Sequence, residues 1–155
     1  MKNVFFYDTK YGRIAVSDNG SEITDICFEN DMDASGMRLW ETELIRNAGK
    51  RINEYLEGRR RKFDLPVEPE GTDFQKAVWK ETMKIPYGET ATYKEIAERI
   101  GRPNSYRAVG GAVGKNPILI LIPCHRIISS DGSTGNYIGG EKMKEELIEM
   151  ERMRV

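Results

Sequence analysis

The first thirty residues alternate apolar and polar positions in short runs. Asn3-Val-Phe-Phe-Tyr-Asp8 predicts a strand, and Thr9-Lys10 turns it back into 11–17, where Ile14 and Val16 alternate with polar neighbours. Asp18-Asn19-Gly20 makes a second turn into 22–28, with Ile23, Ile26 and Phe28. Period-two alternation bounded by turn residues predicts a three-stranded antiparallel meander. Residues 30–36 read as a loop. The period then lengthens: Leu39, Trp40, Leu44, Ile45, Ile52, Tyr55 and Leu56 recur at helical spacing. This predicts a helix over about 38–57 with Gly58 as its C-cap. Phe63-Asp64-Leu65 is expected to add a last strand. Pro66 to Gly71 is rich in Pro and Gly and has no period, which sets a boundary between residues 1–70 and 71–155.

The second half opens on Thr72-Asp73-Phe74-Gln75, a capping-box pattern. It starts a helix to about Lys84 that buries Phe74 and Val78, with Trp79 and Met83 as further candidates. Ile85-Pro86-Tyr87-Gly88-Glu89 breaks it. Thr92-Tyr93-Lys94-Glu95 is a second capping box, and Ile96 and Ile100 share one face of the short helix it begins. Gly101 stops that helix, and Asn104 or Ser105 caps the next, about 105–115. Two short helices joined by about four residues with a Gly form a helix-turn-helix unit. The second carries Gly110, Gly111 and Gly114, each costing about 1 kcal/mol relative to Ala. Such small residues suit close approach of another backbone, either a neighbouring helix or a DNA strand. After residue 128 come a turn at 129–133, a Gly-rich loop at 134–140 that could close over a pocket, and a final helix over 141–153. Met143, Leu147, Met150 and Ile148 are its inward candidates, and at most one of Glu145, Glu146, Glu149 and Glu151 is expected to face inward.

Composition narrows the choices. Charged residues make up 32% and the net charge is −1, which argues against a strongly basic, non-specific nucleic-acid binder. The charge is uneven, however. Residues 92–126 hold Lys94, Arg99, Arg102, Arg107, Lys115 and Arg126 against only Glu95 and Glu98, the footprint expected of phosphate contacts. Cys27 and Cys124 lie too far apart for a CxxC redox pair, and with a single His they are too few for a closed structural zinc site. Cys27 reads as a packing residue. The N-terminal apolar stretch is too short for a signal peptide and Ile118–Ile122 too short to span a bilayer, so a soluble cytoplasmic protein with reduced thiols is expected. No cofactor or metal is implied.

The chemistry concentrates in 116–128, Asn-Pro-Ile-Leu-Ile-Leu-Ile-Pro-Cys-His-Arg-Ile-Ile. Burial statistics alone favour a core strand ending in an inert thiol. Against that, Cys124 is followed by the chain's only His and then by a cation, and Pro117 and Pro123 stiffen the segment that leads into it. Thiolate is the reactive form of cysteine. His125 is the adjacent base, but neighbouring side chains of an extended segment point apart, so a bridging water or a local turn is needed. The imidazole also wants an acidic partner to fix its tautomer, and a glutamate of the last helix is the natural candidate.

Ile122-Pro123-Cys124-His125-Arg126-Ile127 resembles the Pro-Cys-His-Arg signature of the O6-alkylguanine-DNA alkyltransferases. The likeness extends through Phe74-Gln75-x-x-Val78-Trp79, Ile85-Pro86-Tyr87-Gly88-Glu89-Thr90-x-Thr92-Tyr93, Arg107-Ala108-Val109-Gly110, Asn116-Pro117-Ile118 and Tyr137-x-Gly139-Gly140, in family order across roughly 72–151. It implies an α/β N-terminal domain (an antiparallel sheet plus helix, ribonuclease-H-like) and a mostly helical C-terminal domain containing the helix-turn-helix. It also implies suicide repair of double-stranded DNA carrying O6-alkylguanine, with O4-alkylthymine a further candidate substrate. The protein would act as a monomer through the minor groove, with the base flipped out.

By the same resemblance Cys124 takes the alkyl group, His125 receives the thiol proton through water, and Glu151 orients the imidazole. Tyr93 crowds the target phosphate and donates a hydrogen bond or proton to guanine, and Asn116 holds the turn. Arg107 fills the space left by the base. Tyr93, Lys94, Arg102, Arg107, Ala108, Gly110 and Ser130 are the implied DNA contacts, and Pro123, Ile127, Tyr137 and Ile138 the base pocket. Two departures stand out: Tyr106 where many members have a small residue, and Leu119 where some have proline. The zinc site of some animal relatives has no ligand set here. A lesion-binding, alkyltransferase-like module would lack the cysteine, a Cys-His hydrolase would need a distant His, and a dimeric helix-turn-helix regulator leaves the thiol segment unexplained.

Overall fold

A computed structural model describes residues 1–154. The chain divides into two compact units, one of residues 1–70 with Pro117–Leu119 and the other of residues 71–116 with 120 onward. Among the described residues no helix is long and apolar enough to cross a membrane.

The first unit is built on the predicted meander. β1 (Asn3–Thr9) pairs antiparallel with β2 (Gly12–Asp18), from Asn3 opposite Asp18 to Thr9 opposite Gly12, and β2 pairs antiparallel with β3 (Ile23–Phe28). A two-residue strand, β4 (Arg38–Leu39), joins the other side of β1 in parallel, giving the order β3-β2-β1-β4. The expected helix over 38–57 therefore starts later. Leu39 and Trp40 belong to the exposed edge of the sheet, and α1 spans Glu43–Leu56. Its start is set at Thr42, whose hydroxyl accepts from the Ile45 N–H and donates to Asp18 at 2.6 Å. Its end is a full Schellman turn: Gly58 takes φ 77°, its N–H bonds to Tyr55, and the Arg59 N–H bonds to Glu54.

Ile45, Ile52 and Tyr55 of α1 are buried with Val4, Ile14, Val16, Ile23 and Ile26 of the sheet. The expected strand at 63–65 does not form; Asp64 adopts φ 51°, and the chain next pairs at Val67, beside Ile23. Pro117–Leu119 also completes this unit, with Ile118 pairing beside Ile26.

The second unit is mostly helical. α2 (Asp73–Thr82) and α3 (Tyr93–Arg99) both begin in complete capping boxes, Thr72 with Gln75 and Thr92 with Glu95. Val78 and Trp79 are buried, whereas Met83 is exposed, because α2 ends one residue before it. α3 ends in a second Schellman turn, with Gly101 at φ 78° and the Arg102 N–H on Ala97. α4 (Tyr106–Gly114) follows from Ser105, whose side chain makes no cap bond. The Trp79 indole N–H donates to the Ala112 carbonyl at 3.0 Å, pinning α4 to α2.

Two further strands were not expected. β5 (Ala91–Thr92) and β6 (Ile127–Ile128) form one short parallel pair. α5 (Glu141–Met153) closes the unit, burying Met143, Lys144, Leu147, Ile148 and Glu151.

Gly49 supplies a test of the first unit. It lies inside α1, where Ala would normally be favoured by about 1 kcal/mol. A Cβ there would come within 2.7 Å of the Tyr7 ring, and that ring is tethered by its hydroxyl to Glu41 at 2.6 Å. Overpacking should outweigh propensity, so Gly49→Ala is expected to lose about 1–3 kcal/mol in urea unfolding. A more stable variant would show that the ring moves freely.

Candidate active site

The apolar run before Cys124 is not a strand. The Asn116 side-chain amide donates to the Ile122 carbonyl at 2.9 Å and closes 116–122 into a loop. Inside it Ile120 takes φ 73°, a left-handed conformation that β-branched residues rarely adopt and that costs on the order of 1–3 kcal/mol. Cys124–Arg126 then form a single 3₁₀ turn. This is the local turn that the Cys-His adjacency calls for. β6 follows at once and pairs with β5, which runs straight into Tyr93 at the start of α3. The short parallel pair thus ties the thiol turn to the tyrosine.

His125 is fully buried, and its Nε2 lies 2.7 Å from Glu151 Oε2. The Glu151 carboxylate is itself buried, yet it accepts from three other donors. Arg126 reaches it through Nε at 2.8 Å and Nη2 at 3.1 Å, and the Gly88 N–H reaches Oε1 at 3.0 Å. Burial alone would raise the Glu151 pKa; the hydrogen bonds from His125 and Arg126 outweigh it and hold the group down to about 2. An ionised carboxylate only accepts, so Nε2 carries the hydrogen and Nδ1 is the acceptor nitrogen of a neutral ring. Burial keeps that ring neutral by pushing its pKa below the ordinary value, against the pull of Glu151.

Arg126 therefore does not serve as a phosphate contact, contrary to its place in the basic run. It is 7% exposed, and its Nη1 donates to the Ile85 carbonyl at 2.7 Å. Of the other bases in that run, Arg99 pairs with Glu95 at 3.7 Å, while Lys94, Arg102 and Arg107 are exposed, as is Ala108.

Cys124 is buried, and burial pushes its thiol up to about 12, offset in part by the Lys144 charge and a hydrogen bond from Asn116. Lys144 has no precedent in the sequence reading. It is completely buried, its Nζ donates to the Asn136 carbonyl at 3.2 Å, and it lies 5.7 Å from the centre of the Tyr93 ring. Burial lowers its pKa to about 8, and the Cys124 charge acts the other way. A signal did exist: residues 144, 147, 148 and 151 make one helical stripe, so the face that buries Leu147 and Glu151 buries Lys144 too. Tyr93 is half-buried, and its pKa is raised first by burial and then by the Cys124 charge.

An open cleft of about 650 Å³ lies beside these groups. Tyr93, Arg107, Gly110, Tyr137 and Ile138 line it, with the loop residues Gly135 and Asn136. Gly135 takes φ 73°, and a Cβ there would stand 2.8 Å from the Tyr93 hydroxyl, so only glycine lets the loop lie against the tyrosine. Pro123 and Ile127, expected in the base pocket, are buried and do not line the cleft. Ser129 also lines it, and Ser130, expected as a DNA contact, is exposed.

Residues 73–153 match the family model described as 6-O-methylguanine DNA methyltransferase, DNA binding domain, and residues 5–69 match its ribonuclease-like domain. The chain belongs to the 6-O-methylguanine DNA methyltransferase family. The methylated-DNA–protein-cysteine methyltransferase of Methanosarcina barkeri is 53% identical over 109 residues, covering 70% of this chain and 69% of the relative. The protein of that name from Mycobacterium tuberculosis is 38% identical over 149 residues, covering 95% and 90%. The crystal structure of Mycobacterium tuberculosis OGT in complex with DNA superposes with a TM-score of 0.89 at 36% identity, over 99% of this chain and 94% of that one. The ribonuclease-like first unit and helical second unit expected of the family are both present.

The Glu151 network makes a pH prediction. Its folded pKa of about 2 lies below the ordinary glutamate value of 4.5, so the network stabilises the fold above that value and is lost as pH falls towards 2. Unfolding free energies from pH 6 down to pH 2 should decline less steeply for Glu151→Gln than for the parent. Parallel declines would mean that Glu151 is not held ionised.

Proposed function

We propose that this protein repairs DNA by direct reversal of alkylation damage, moving the alkyl group of O6-alkylguanine onto Cys124 in a single, irreversible turnover. The observation that carries the reading is the buried Cys124-His125 turn whose imidazole is locked by an ionised Glu151 at 2.7 Å. In the family's terms the chain is a methylated-DNA–protein-cysteine S-methyltransferase. Residues 71–155 carry the chemistry, and residues 1–70 support them. It acts on double-stranded DNA from the minor groove, as a monomer, in the reducing cytoplasm.

The helix-turn-helix presents α4 to the duplex. Exposed Lys94 and Arg102 meet phosphates, and Ala108 and Gly110 allow the strand close to the helix backbone. Ser130 adds a loop contact. Arg107 fills the gap as the damaged nucleotide turns out into the cleft beside Tyr93, Tyr137 and Ile138. Pro123 and Ile127 act from beneath, by shaping the backbone that reads the base edge.

The chemistry balances as an in-line displacement. The Cys124 thiol gives its proton, through water, to Nδ1 of His125. The sulfur lone pair forms an S–C bond to the alkyl carbon while the C–O6 bond breaks. Guanine keeps that electron pair and is neutralised by a proton from Tyr93. The thiol's high pKa keeps it protonated at rest, and deprotonation is coupled to the base nearby. The Lys144 ammonium offsets the negative charge that develops on the sulfur, and Asn116 adds a hydrogen bond there. The thioether product offers no leaving group for a return step, so the protein is consumed. Tyr106 and Leu119, where the chain departs from the family pattern, bear on the range of substrates. A lesion-binding module without chemistry would not keep Cys124.

Incubation with a duplex oligonucleotide carrying O6-methylguanine is expected to add one methyl group to the intact mass, on the peptide containing Cys124. Cys124→Ala should gain none. Repeated turnover, or a methyl group on Cys27, would refute the mechanism.

A further inference from the structure

The cleft-facing side of α4 is nearly bare. Gly110, Gly111 and Gly114 form its floor, and Gly111 and Gly114 have open space where a Cβ would stand. At its N-terminal end, however, two large side chains stand together at the rim: Tyr106 and Arg107. Tyr106 is the first residue of the helix and is 38% exposed. Its ring is flanked by two cations, Lys94 Nζ at 5.6 Å from the centroid and the Arg107 guanidinium at 5.9 Å. They come from different helices, α3 and α4, so the ring has a cation near it from each part of the helix-turn-helix. Nothing in the methyl-transfer chemistry uses it.

A partly exposed aromatic ring with two cations beside it has a well-defined chemical complement. Nucleobases offer a π-face to stack on, and the adjacent cations attract the phosphates on either side of the base. A stacked base in an intact duplex offers no free face. A base beside an extruded nucleotide does.

We propose that Tyr106 is a second wedge residue, whose ring stacks on a base laid bare next to the gap when the damaged nucleotide leaves the duplex, while Arg107 occupies the gap itself. The inference rests on the DNA repair reading above but adds a contact of its own. It makes the wedge a Tyr-Arg pair, with the aromatic member supplying salt-independent affinity for opened DNA. The ring hydroxyl is not required, so phenylalanine serves equally well.

The test uses the full chain with Cys124→Ala, so that complexes remain unreacted, and a duplex carrying O6-methylguanine with 2-aminopurine beside the lesion. Tyr106→Leu is expected to weaken binding by about tenfold. It should leave the slope of affinity against salt unchanged, because no phosphate contact is lost. It should also remove the quenching of 2-aminopurine that binding produces. Tyr106→Phe should match the parent in all three readouts. Within Arg107→Ala, adding Tyr106→Leu should cost a further several-fold. No further loss there would mean that the ring only positions Arg107, and unchanged quenching would mean that no base stacks on it; either result overturns the proposal. Transfer of a benzyl group from free O6-benzylguanine to the Cys124 protein, followed by mass, judges the repair chemistry separately. If that transfer fails while the quenching result holds, the chemistry is wrong and the stacking stands.

Discussion

A carboxylate buried where water cannot reach it organises the second unit. Glu151 is 1% exposed and would be intolerable there as a lone charge. It is met by a guanidinium fork, an imidazole N–H and a backbone N–H, which tie two other stretches of chain, at Gly88 and at 125–126, to α5. Because every donor must be present for the charge to be tolerated, satisfying Glu151 fixes the position of the thiol turn. Removing one partner would leave the others buried and uncompensated, the costly direction for a buried ion pair. The rigidity of Cys124 is therefore electrostatic as well as steric.

The same constraint divides the labour among neighbouring residues. Arg126 balances the carboxylate charge, which lets His125 stay neutral and present Nδ1 as a base. Lys144, buried from the same helix as Glu151, places a positive charge near the sulfur. Its ammonium also holds the 134–140 loop by the Asn136 carbonyl, so the charge that favours thiolate and the contact that shapes the cleft come from one side chain. The apolar burial that raises the thiol pKa is the cost of keeping the sulfur unreactive until a base arrives.

Much of this was legible in residue order. Caps and turn glycines act over three or four neighbours, so both capping boxes, Gly58 and Gly101 could be read directly. The assignment of Glu151 as the partner of His125 came from family resemblance, and the geometry brings the two together. What could not be read depends on residues remote in sequence. The start of α1 is set by Thr42 donating to Asp18, and Leu39-Trp40, apolar at helical spacing, is claimed by the edge of β1 instead. The run 118–122 has a strand's composition, but Asn116 folds it into a loop that Ile120 accommodates with a strained backbone. Arg126 and Lys144 look solvated as letters; only the buried charges around them explain why they lie inside.

The central claim is that Glu151 holds His125 as a neutral base with its hydrogen on Nε2. The chain has one histidine, so its imidazole nitrogens can be assigned without ambiguity in a ¹⁵N-labelled sample. Two-bond ¹⁵N–¹H correlation spectra recorded between pH 5 and pH 8 should show a protonated Nε2 and an unprotonated Nδ1 through neutral pH, with any imidazolium forming only below the ordinary histidine pKa. An imidazolium at pH 7, or the hydrogen on Nδ1, would contradict the account.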